Sequence, residues 1–545
     1  MSEIDKLTSD TDNREAQEAQ AVVFRHGRIL TLDPACPRAS VLACLRGQIT
    51  YVGDDFGLAL STLPHEAEVV DLRDRDVIPG LIDSHAHVLS EGLKLSQLDL
   101  AGLDYEETLE VVGEEANSRP SGSWIHGRGW DQNLWSIPWP TAKDLDGVSP
   151  HHPVVLDRID KHSIWVNSQA LKLAGLTKDT PDPEGGEFVR DDNGELTGVL
   201  IGKAMFMVYN VMPTDDGHDF LTTFRKAISE LLGYGLTTLV DCATRPSDVP
   251  LIKKAVDEGL VKARLRLYLL TEPWLSELLD QGPVKHLSGD RLSIDGIKLF
   301  SDGSLGSRSA WLLENYADRP GYRGGHVHSD EHLEALLIRA RDLGWQVAIH
   351  TIGDAAIAQT VKCMAQVLGP EKTERNWRLE HYQLVTDEDR ERVISMGLIP
   401  SIQSVGLMTD LHMAKARLGP DRLRRAYAWR DIIDRGGYVI NGSDCPIESP
   451  NPFLGIYAAV TRKDLKGFPP EGFGREQALS RLAALYSYTI WPAKAAFVSD
   501  KLGSLSPGKL CDFAVLDRDI LTCPERAIAG TRVLSTVVNG ELIAT

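Results

Sequence analysis

The sequence predicts an α/β protein in which a (β/α)8, or TIM, barrel carries a small β-sandwich domain. Three observations favour this fold. Apolar runs of strand length alternate with helix-like stretches from residue 77 to about residue 444, as they do in parallel βα units. Short strand-like runs also occur near both ends of the chain. Eight runs in the middle suit a closed barrel better than an open doubly wound sheet.

Length and composition limit the class of protein. At 545 residues the chain has room for one barrel-sized domain and a smaller one. Its 58 basic and 78 acidic residues give a net charge of −20, which argues against binding to nucleic acid or to an anionic membrane surface. Seven scattered cysteines indicate reduced thiols and a cytoplasmic location. The sequence contains no apolar run long enough to span a membrane.

The two ends of the chain are predicted to lie outside the barrel. Residues 1–20 are polar and acidic, so we expect a disordered leader rather than a signal peptide. Residues 21–76 and 500–545 hold short apolar runs separated by Gly, Asp and Pro, which indicates one composite β-sandwich domain. Within it, Asn539-Gly540 is typical of a type I′ hairpin turn.

Residues 77–499 form the predicted barrel. Its first strand is expected to begin after Pro79-Gly80, which interrupts an apolar run. A long insert at 90–217 follows, rich in tryptophan, and we expect it to cap the active site. The other seven strands are predicted at 236–241, 264–270, 294–300, 346–350, 377–381, 398–402 and 438–444.

Two histidines close the first barrel strand. Residues i and i+2 of a strand face the same side, so His85 and His87 are expected to project together. Two neutral imidazoles in an apolar setting suit a borderline metal such as zinc. The alternative is a hydrogen-bonded pair of core histidines, and the His-x-His pattern alone does not separate the two interpretations.

Polar side chains also end, or nearly end, four later barrel strands: Lys298, His350, His381 and Asp444. Catalytic side chains of such barrels lie at the C-terminal ends of strands. Each residue has a structural alternative: either histidine suits a core, Asp444 suits a turn or a helix cap, and Lys298 could pair with Asp295 or Asp302 or extend to solvent. Together with the two histidines of the first strand, the four indicate a metal site.

Lys298 must change its charge to join such a site. A protonated amine is repelled by divalent cations and has no lone pair to donate. A buried lysine loses its proton readily and, as a neutral amine, can react with CO₂. The resulting carbamate is anionic and can bridge two metals through its two oxygens. We therefore expect Lys298 to act as a carboxylate ligand.

Several segments carry a resemblance to a known family. They are residues 77–87, 127–131, 160–168, 298–308, 350–354, 380–381, 442–444 and 503–512. In this order and spacing, the chain resembles the metal-dependent amidohydrolase superfamily, and within it the amidohydrolase family 3 branch that includes N-substituted formamide deformylases. The resemblance spans nearly the whole chain beyond Gln20.

The resemblance implies that six side chains bind metal: His85, His87, Lys298, His350, His381 and Asp444. The histidines of the first strand and Asp444 would hold the more buried metal, and carboxylated Lys298 would bridge to a second. The implied cofactor is zinc, two ions per chain, with another divalent metal as the alternative. Metals lower the pKa of bound water and polarise the scissile carbonyl. Asp444 would shuttle the proton of that water to the leaving amine.

Substrate contacts are predicted from the insert and from residues beside the ligands. Tyr382 and Cys445 stand where the family often has an alanine and a bulky aromatic, which affects the shape of the substrate pocket. The insert and the loop after the lysine strand add Trp130, Asp131, His162, Asp302 and Arg308. We expect His162 to act in catalysis by hydrogen-bonding a substrate carbonyl, and Arg308 to meet an anionic group. The alternative for each is a structural polar network.

The expected reaction is hydrolysis of a C–N bond other than a peptide bond (EC 3.5), in an amide, formamide, lactam or carbamate, by metal-bound hydroxide. A deaminase or esterase of the same fold is the first alternative, because a fold does not fix a substrate. An inactive scaffold is disfavoured because all six implied ligands are present. The expected partner is a small amide-like molecule, with a homodimer left open and neither nucleic acid nor membrane involved.

Overall fold

Eight parallel strands form the predicted barrel, and their order in the sheet follows their order in sequence. The computed structural model of the chain describes residues 21–64, 66–135, 139–158, 163–183, 186–202, 204–212, 220–271 and 277–543. Numbered by place in the chain, the barrel strands are β5 (Leu81–Ala86), β12 (Leu236–Thr244), β13 (Arg264–Leu270), β15 (Leu292–Phe300), β16 (Gln346–Thr351), β17 (Arg378–His381), β18 (Ile399–Ile402) and β19 (Ile440–Asn441).

Backbone hydrogen bonds join the last barrel strand to the first. β19 has two residues, fewer than the predicted run at 438–444. The chain beyond it turns back to β5: Asp444 N donates to His85 O at 2.6 Å, and His87 N donates to Cys445 O at 2.9 Å. Asp444 has a φ of 60°, outside the strand region, so the strand does not continue to residue 444 as predicted. We call the junction of β5 and His87 with residues 444–445 the seam of the barrel. It brings Asp444 beside the two histidines.

Seven strands from both ends of the chain form a second sheet, in the order β22-β21-β20-β4-β1-β2-β3. They are β1 (Ala21–Leu30), β2 (Arg38–Leu45), β3 (Gln48–Gly53), β4 (Glu68–Pro79), β20 (Phe513–Leu516), β21 (Val533–Val538) and β22 (Glu541–Ile543). Asn539 and Gly540 connect β21 to β22 with φ values of 54° and 76°, as the predicted type I′ turn requires.

Gly80 divides one apolar run between the two sheets. β4 ends at Pro79 in the terminal sheet, and β5 begins at Leu81 in the barrel. A Cβ on Gly80 would lie 2.2 Å from Thr237 Oγ1 of β12, so the close approach of the Thr237 side chain to this backbone favours glycine. The expectation that the first barrel strand begins after Pro79-Gly80 is confirmed.

The chain divides into two compact units. Residues up to Glu91 and residues from Ala227 onward form the first, and Gly92–Lys226 form the second. The second unit has a six-stranded sheet of its own, in the order β10-β11-β9-β8-β7-β6, which the sequence patterns did not predict. Its strands are β6 (Leu98–Asp99), β7 (Ile125–Trp130), β8 (Val154–Arg158), β9 (Ser163–Val166), β10 (Gly186–Arg190) and β11 (Leu196–Gly202).

Helices complete both units. Those of the second unit are Tyr105–Ser118, Ala142–Val148, Ser168–Leu173 and Met205–Tyr209. The others are Phe56–Ser61, Val88–Leu95, Phe220–Gly233, Val249–Asp257, Glu277–Gln281, Asp330–Leu343, Asp354–Leu368, Asp387–Ser395, Leu407–Asp410, Ala414–Leu418, Pro420–Leu423, Trp429–Asp434, Pro452–Thr461, Arg481–Tyr486, Ile490–Ala495 and Glu525–Ile528. Over the described part of the chain, none of the helices has both the length and the apolar character needed to cross a membrane.

A buried ion pair ties the terminal sheet to the barrel. Arg264 of β13 donates to both carboxylate oxygens of Asp512, at 2.6 and 3.0 Å, and neither side chain is more than 3% exposed. We expect Asp512→Asn to lower the free energy of unfolding by about 3 kcal/mol, because the arginine charge stays buried without its partner. Urea unfolding measures the loss.

The matched control for this change is Glu541→Gln. Glu541 pairs with Lys262 at 3.2 Å, but both side chains are about 40% exposed. An exposed pair of this kind contributes less than about 1 kcal/mol. Equal losses of stability in the two variants would show that the buried pair does not tie the sheet to the barrel.

Candidate metal centre

Three side chains converge at the seam between β5 and the segment after β19. Asp444 Oδ1 lies 2.9 Å from His87 Nε2 and 3.4 Å from His85 Nε2. One donor atom from each of the three residues lies within 4.8 Å of the others. Two imidazole nitrogens and a carboxylate oxygen at this spacing form a donor set that suits zinc and related divalent metals.

The other three implied ligands adjoin this group. Lys298 Nζ lies 3.3 Å from His85 Nε2. The ring of His381 lies 5.2 Å from the ring of His85, and the ring of His350 lies 4.3 Å from that of His381, measured between centroids. All six side chains implied by the resemblance therefore form one connected group at the C-terminal ends of the barrel strands.

Glu380 orients His85. Glu380 Oε2 lies 2.6 Å from His85 Nδ1, and both side chains are fully buried. When Nδ1 carries the proton, it donates a hydrogen bond to this carboxylate. Nε2 is then left with a lone pair that faces Asp444 and Lys298. Arg378 donates to Glu380 Oε1 at 2.7 Å and so fixes the carboxylate in turn. The sequence patterns missed this role.

The backbone at His381 explains how Glu380 and His381 serve the same site. Adjacent residues of a regular strand face opposite sides, yet both contact the His85 ring. His381 has a φ of 70°, in the left-handed region that non-glycine residues seldom adopt. This local turn at the end of β17 brings the second side chain around to the site, where strain of this kind is common.

Burial keeps the imidazoles neutral. Burial lowers the pKa of His85 to about 4. Burial likewise lowers the pKa of His381 to about 3 and that of His350 well below its ordinary value. Neutral imidazoles are the form that binds metal, so these three nitrogen donors are ready for a metal near pH 7.

Asp444 is held as a carboxylate. Burial by itself raises the pKa of Asp444, but the charge that His85 carries once it is protonated and the hydrogen bond from His87 outweigh burial and hold the pKa well below its usual range. The side chain keeps 15% of its surface exposed. Asp444 is therefore an ionised group that is still accessible from the mouth of the barrel.

Asp83 forms hydrogen bonds to both of the segments that meet at the seam. Its Oδ1 accepts hydrogen bonds from His85 N and from Ser443 N, both at 3.0 Å. Burial raises the pKa of this carboxyl to about 6. A Cβ on Gly442 would lie 2.4 Å from His85 N, so glycine is needed where the two segments pass. Asp83 thus links the segments that carry His85 and Asp444.

Asp302 anchors a loop beside His350. Its carboxylate is buried and accepts three backbone hydrogen bonds at 2.8–3.0 Å, from Trp311, Ile352 and Gly353. Burial raises the pKa of Asp302 to about 7, against the effect of these bonds. Asp302 Oδ1 lies 3.8 Å from His350 Nε2. Its described contacts are those of a structural support for the site.

Two further substrate candidates lie close to the ligands. Tyr382 and Cys445 are both buried. The hydroxyl of Tyr382 has no hydrogen-bond partner among the residues that the structure describes.

Arg308, in the loop after β15, donates to both oxygens of Asp318 at 3.1 and 2.9 Å. The charge of Arg308 is therefore already paired.

The candidates in the insert belong to the second unit. Trp130 is fully buried in the core of that unit, and its indole nitrogen donates to Leu156 O at 2.8 Å. Asp131 accepts a hydrogen bond from Arg158 at 3.0 Å. His162, the predicted catalytic histidine, lies outside the described residues. The described contacts of Trp130 are those of a core residue.

Comparison with known proteins identifies the family. A model described as the amidohydrolase family matches residues 68–544. The chain belongs to the amidohydrolase family. YtcJ of Bacillus subtilis (strain 168), named as an amidohydrolase, is 34% identical over 483 residues, which cover 88% of this chain and 90% of YtcJ. An N-substituted formamide deformylase of Arthrobacter pascens is 27% identical over 540 residues, covering 95% and 97% of the two chains.

A solved structure agrees with this family membership. The crystal structure of an uncharacterized metal-dependent hydrolase from Pyrococcus horikoshii OT3 has 29% sequence identity and a TM-score of 0.77, covering 93% of this chain and 99% of its own. The predicted fold class and the family resemblance are confirmed. This amidohydrolase is a metal-dependent hydrolase, and its neutral imidazoles and ionised Asp444 fit a divalent metal.

We expect Glu380→Gln in this amidohydrolase to weaken metal binding about 10–100-fold. The neutral amide no longer stabilises the Nδ1 proton of His85, so the imidazole is oriented less firmly. Chelator competition measures the affinity, and circular dichroism monitors the fold, because the change also leaves buried Arg378 without its partner.

Two further variants separate orientation from stability. Glu380→Asp keeps the charge for Arg378 but shortens the reach to His85, so it should also weaken metal binding. Glu388→Gln removes an exposed carboxylate paired with Arg392 and should leave metal affinity unchanged. Unaltered metal affinity in both Glu380 variants would contradict the orienting role.

Proposed function

We propose that this amidohydrolase cleaves a C–N bond in a small amide, formamide, lactam or carbamate. The observation that carries the proposal is the position of Asp444, whose ionised carboxylate contacts His85 and His87 and remains partly exposed. An amine is a poor leaving group until it is protonated. A carboxylate that has taken a proton from water can deliver it to the departing nitrogen. The similarity to the N-substituted formamide deformylase supports the same class of bond.

We infer that Lys298 is carboxylated and helps to hold two zinc ions. Its side chain is almost fully buried. Its Nζ contacts His85 Nε2 at 3.3 Å and lies 5.2 Å from the centre of the Phe300 ring. No ion pair to Lys298 is found within the described ranges. An unpaired ammonium at such a position costs several kcal/mol, whereas a carbamate supplies two oxygen donors beside His85.

The protein's own groups then have separate tasks. A metal bound by these residues would supply Lewis-acid activation of the carbonyl and of water. Glu380 keeps the proton on Nδ1 of His85, and buried imidazoles stay neutral as ligands. Asp444 accepts the proton of the attacking water and gives it to the leaving nitrogen. Buried Tyr382 and Cys445 border the ligands they follow in sequence and would shape the pocket around them.

The test is elemental analysis of protein purified without chelators and supplied with bicarbonate, followed by a panel of formamides, N-acyl amines, lactams and esters. About two zinc ions per chain, with turnover confined to C–N bonds, is the expected result. One ion per chain would indicate an unmodified Lys298. Turnover of esters alone would favour the esterase alternative. Failure of the protein to take up metal would contradict the proposed metal-dependent hydrolysis.

Removal of the metal should abolish turnover. We expect dialysis against a chelator to reduce the rate below detection and to lower Tm, because a metal that binds only the folded chain stabilises it. Addition of zinc should restore both quantities. Turnover that persists in metal-free protein would contradict the proposed role of the site.

The cytoplasmic location, the small-molecule partner and a homodimer stay predictions.

A further inference from the structure

A cavity of about 180 Å³ lies at the opposite, N-terminal end of the barrel, entirely within the first unit. Its walls come from the first residues of β12, β13 and β15, from the short strand β14 (Leu287–Asp290), and from residues 496–502. We propose that this cavity is a second binding site, for a small organic anion that has one ring and one carboxylate. The proposal does not depend on the proposed reaction.

The floor of the cavity is polar. Thr238, Arg266 and Ser293 line it from three neighbouring strands. β13 and β15 shift register so that Asp295 is left without an opposite residue, as in a β-bulge, and Asp295 Oδ2 lies 2.6 Å from Arg266 Nε. Thr238 is 1% exposed, and its hydroxyl has no hydrogen-bond partner among the residues that the structure describes. A buried hydroxyl of this kind favours a polar ligand atom.

One cationic side chain at the cavity favours an anion, although the whole chain carries a net charge of −20. The lining has four cationic side chains and the carboxylates of Asp290 and Asp500. Three of the four cations are already paired: Arg264 with Asp512, Arg266 with Asp295 and Lys501 with Asp290. Lys285 forms no ion pair within the described ranges, and its Nζ lies 5.8 Å from the centre of the Phe497 ring. The charge of Lys285 is therefore available to a ligand.

The remaining wall is apolar. Leu292, Leu502 and Leu510 line the cavity and are each less than 9% exposed, while Phe497 also lines it and is 48% exposed. Phe497 has a φ of 57°, a conformation that non-glycine residues adopt at a cost. An apolar cavity of about 150 Å³ is large enough for benzene. The volume here therefore suits one aromatic ring with a carboxylate.

The test uses benzoate as the probe, with isothermal titration of the full-length, metal-loaded protein. We expect saturable binding of one benzoate per chain and no binding of benzyl alcohol, which has nearly the same shape without the charge. Thr238→Val removes the free hydroxyl at constant shape, and Lys285→Gln removes the unpaired charge. Each should weaken benzoate binding at least about tenfold, since a hydrogen bond to a charged group is lost.

Lys254→Gln is the matched control, because Lys254 is also an exposed lysine but does not line the cavity. It should leave benzoate affinity unchanged. Absence of saturable binding at millimolar benzoate would show that the cavity holds only water and would overturn the proposal. Binding that persists unaltered in both the Thr238 and the Lys285 variants would place benzoate elsewhere, such as at the metal centre, and would also overturn it.

Discussion

Asp444→Asn is expected to lower kcat about 10²–10⁴-fold, the usual contribution of a positioned acid–base group, while the fold is kept. Asparagine cannot take the proton of water, but it retains an oxygen of the same reach. Asp444 has a φ of 60°, and asparagine is among the residues that tolerate this region best, so the seam of the barrel should form normally. Steady-state kinetics measure the loss, and elemental analysis checks the metal.

Asp74→Asn is the matched control for this variant. Asp74 also has a positive φ, of 53°, but it is exposed and lies in strand β4 of the terminal sheet. Its replacement should leave kcat unchanged. Near-normal turnover in the Asp444 variant with full metal content would remove Asp444 from proton transfer. A parallel loss of metal would assign it to metal binding alone.

Lys298→Ala is expected to lose about one metal ion per chain and nearly all turnover. The oxygens of the proposed carbamate would be lost with the side chain, and a space would remain beside His85 Nε2, from which Lys298 Nζ is 3.3 Å away. Short carboxylic acids such as acetate or formate can enter that space and supply two oxygens in the same place. Turnover measured with increasing acetate should therefore recover in part and should saturate.

The control for Lys298→Ala is Lys253→Ala. Lys253 is also largely buried, but it lies on the helix Val249–Asp257 and pairs with Asp257. Its loss should not alter metal content, and acetate should have no effect. Full activity of the Lys298 variant without any added acid would show that the carbamate is not needed.

The grouping of the six implied ligands could be predicted because it rests on simple periodicities. The two-residue repeat of a strand puts His85 and His87 together, and the rule for strand ends brings in Lys298, His350 and His381. The role of Glu380 escaped the same reasoning, because a regular strand would turn Glu380 away from the side of His381. The left-handed backbone at His381 changes that direction, and no sequence pattern in this segment signals it.

The remaining differences also have physical causes. The last barrel strand is shorter than the predicted run because the chain leaves the sheet to bond with β5. The sheet of the second unit was not predicted because β6 has only two residues, and β7 and β11 each contain two glycines, which are depleted in strands. Trp130 was predicted to contact the substrate because aromatic side chains suit both pockets and cores. Its described contacts are those of a core residue.

The seam has a consequence for the order in which the protein matures. His87 and Asp444 are separated by 357 residues, so the barrel must bring together distant parts of the chain before these two ligands meet. Closing such a long loop is slow relative to local structure. A nascent or truncated chain that stops short of Asp444 cannot assemble the ligand set. If the ligand set holds metal as proposed, full metal occupancy would mark molecules in which the last barrel strand has reached the first.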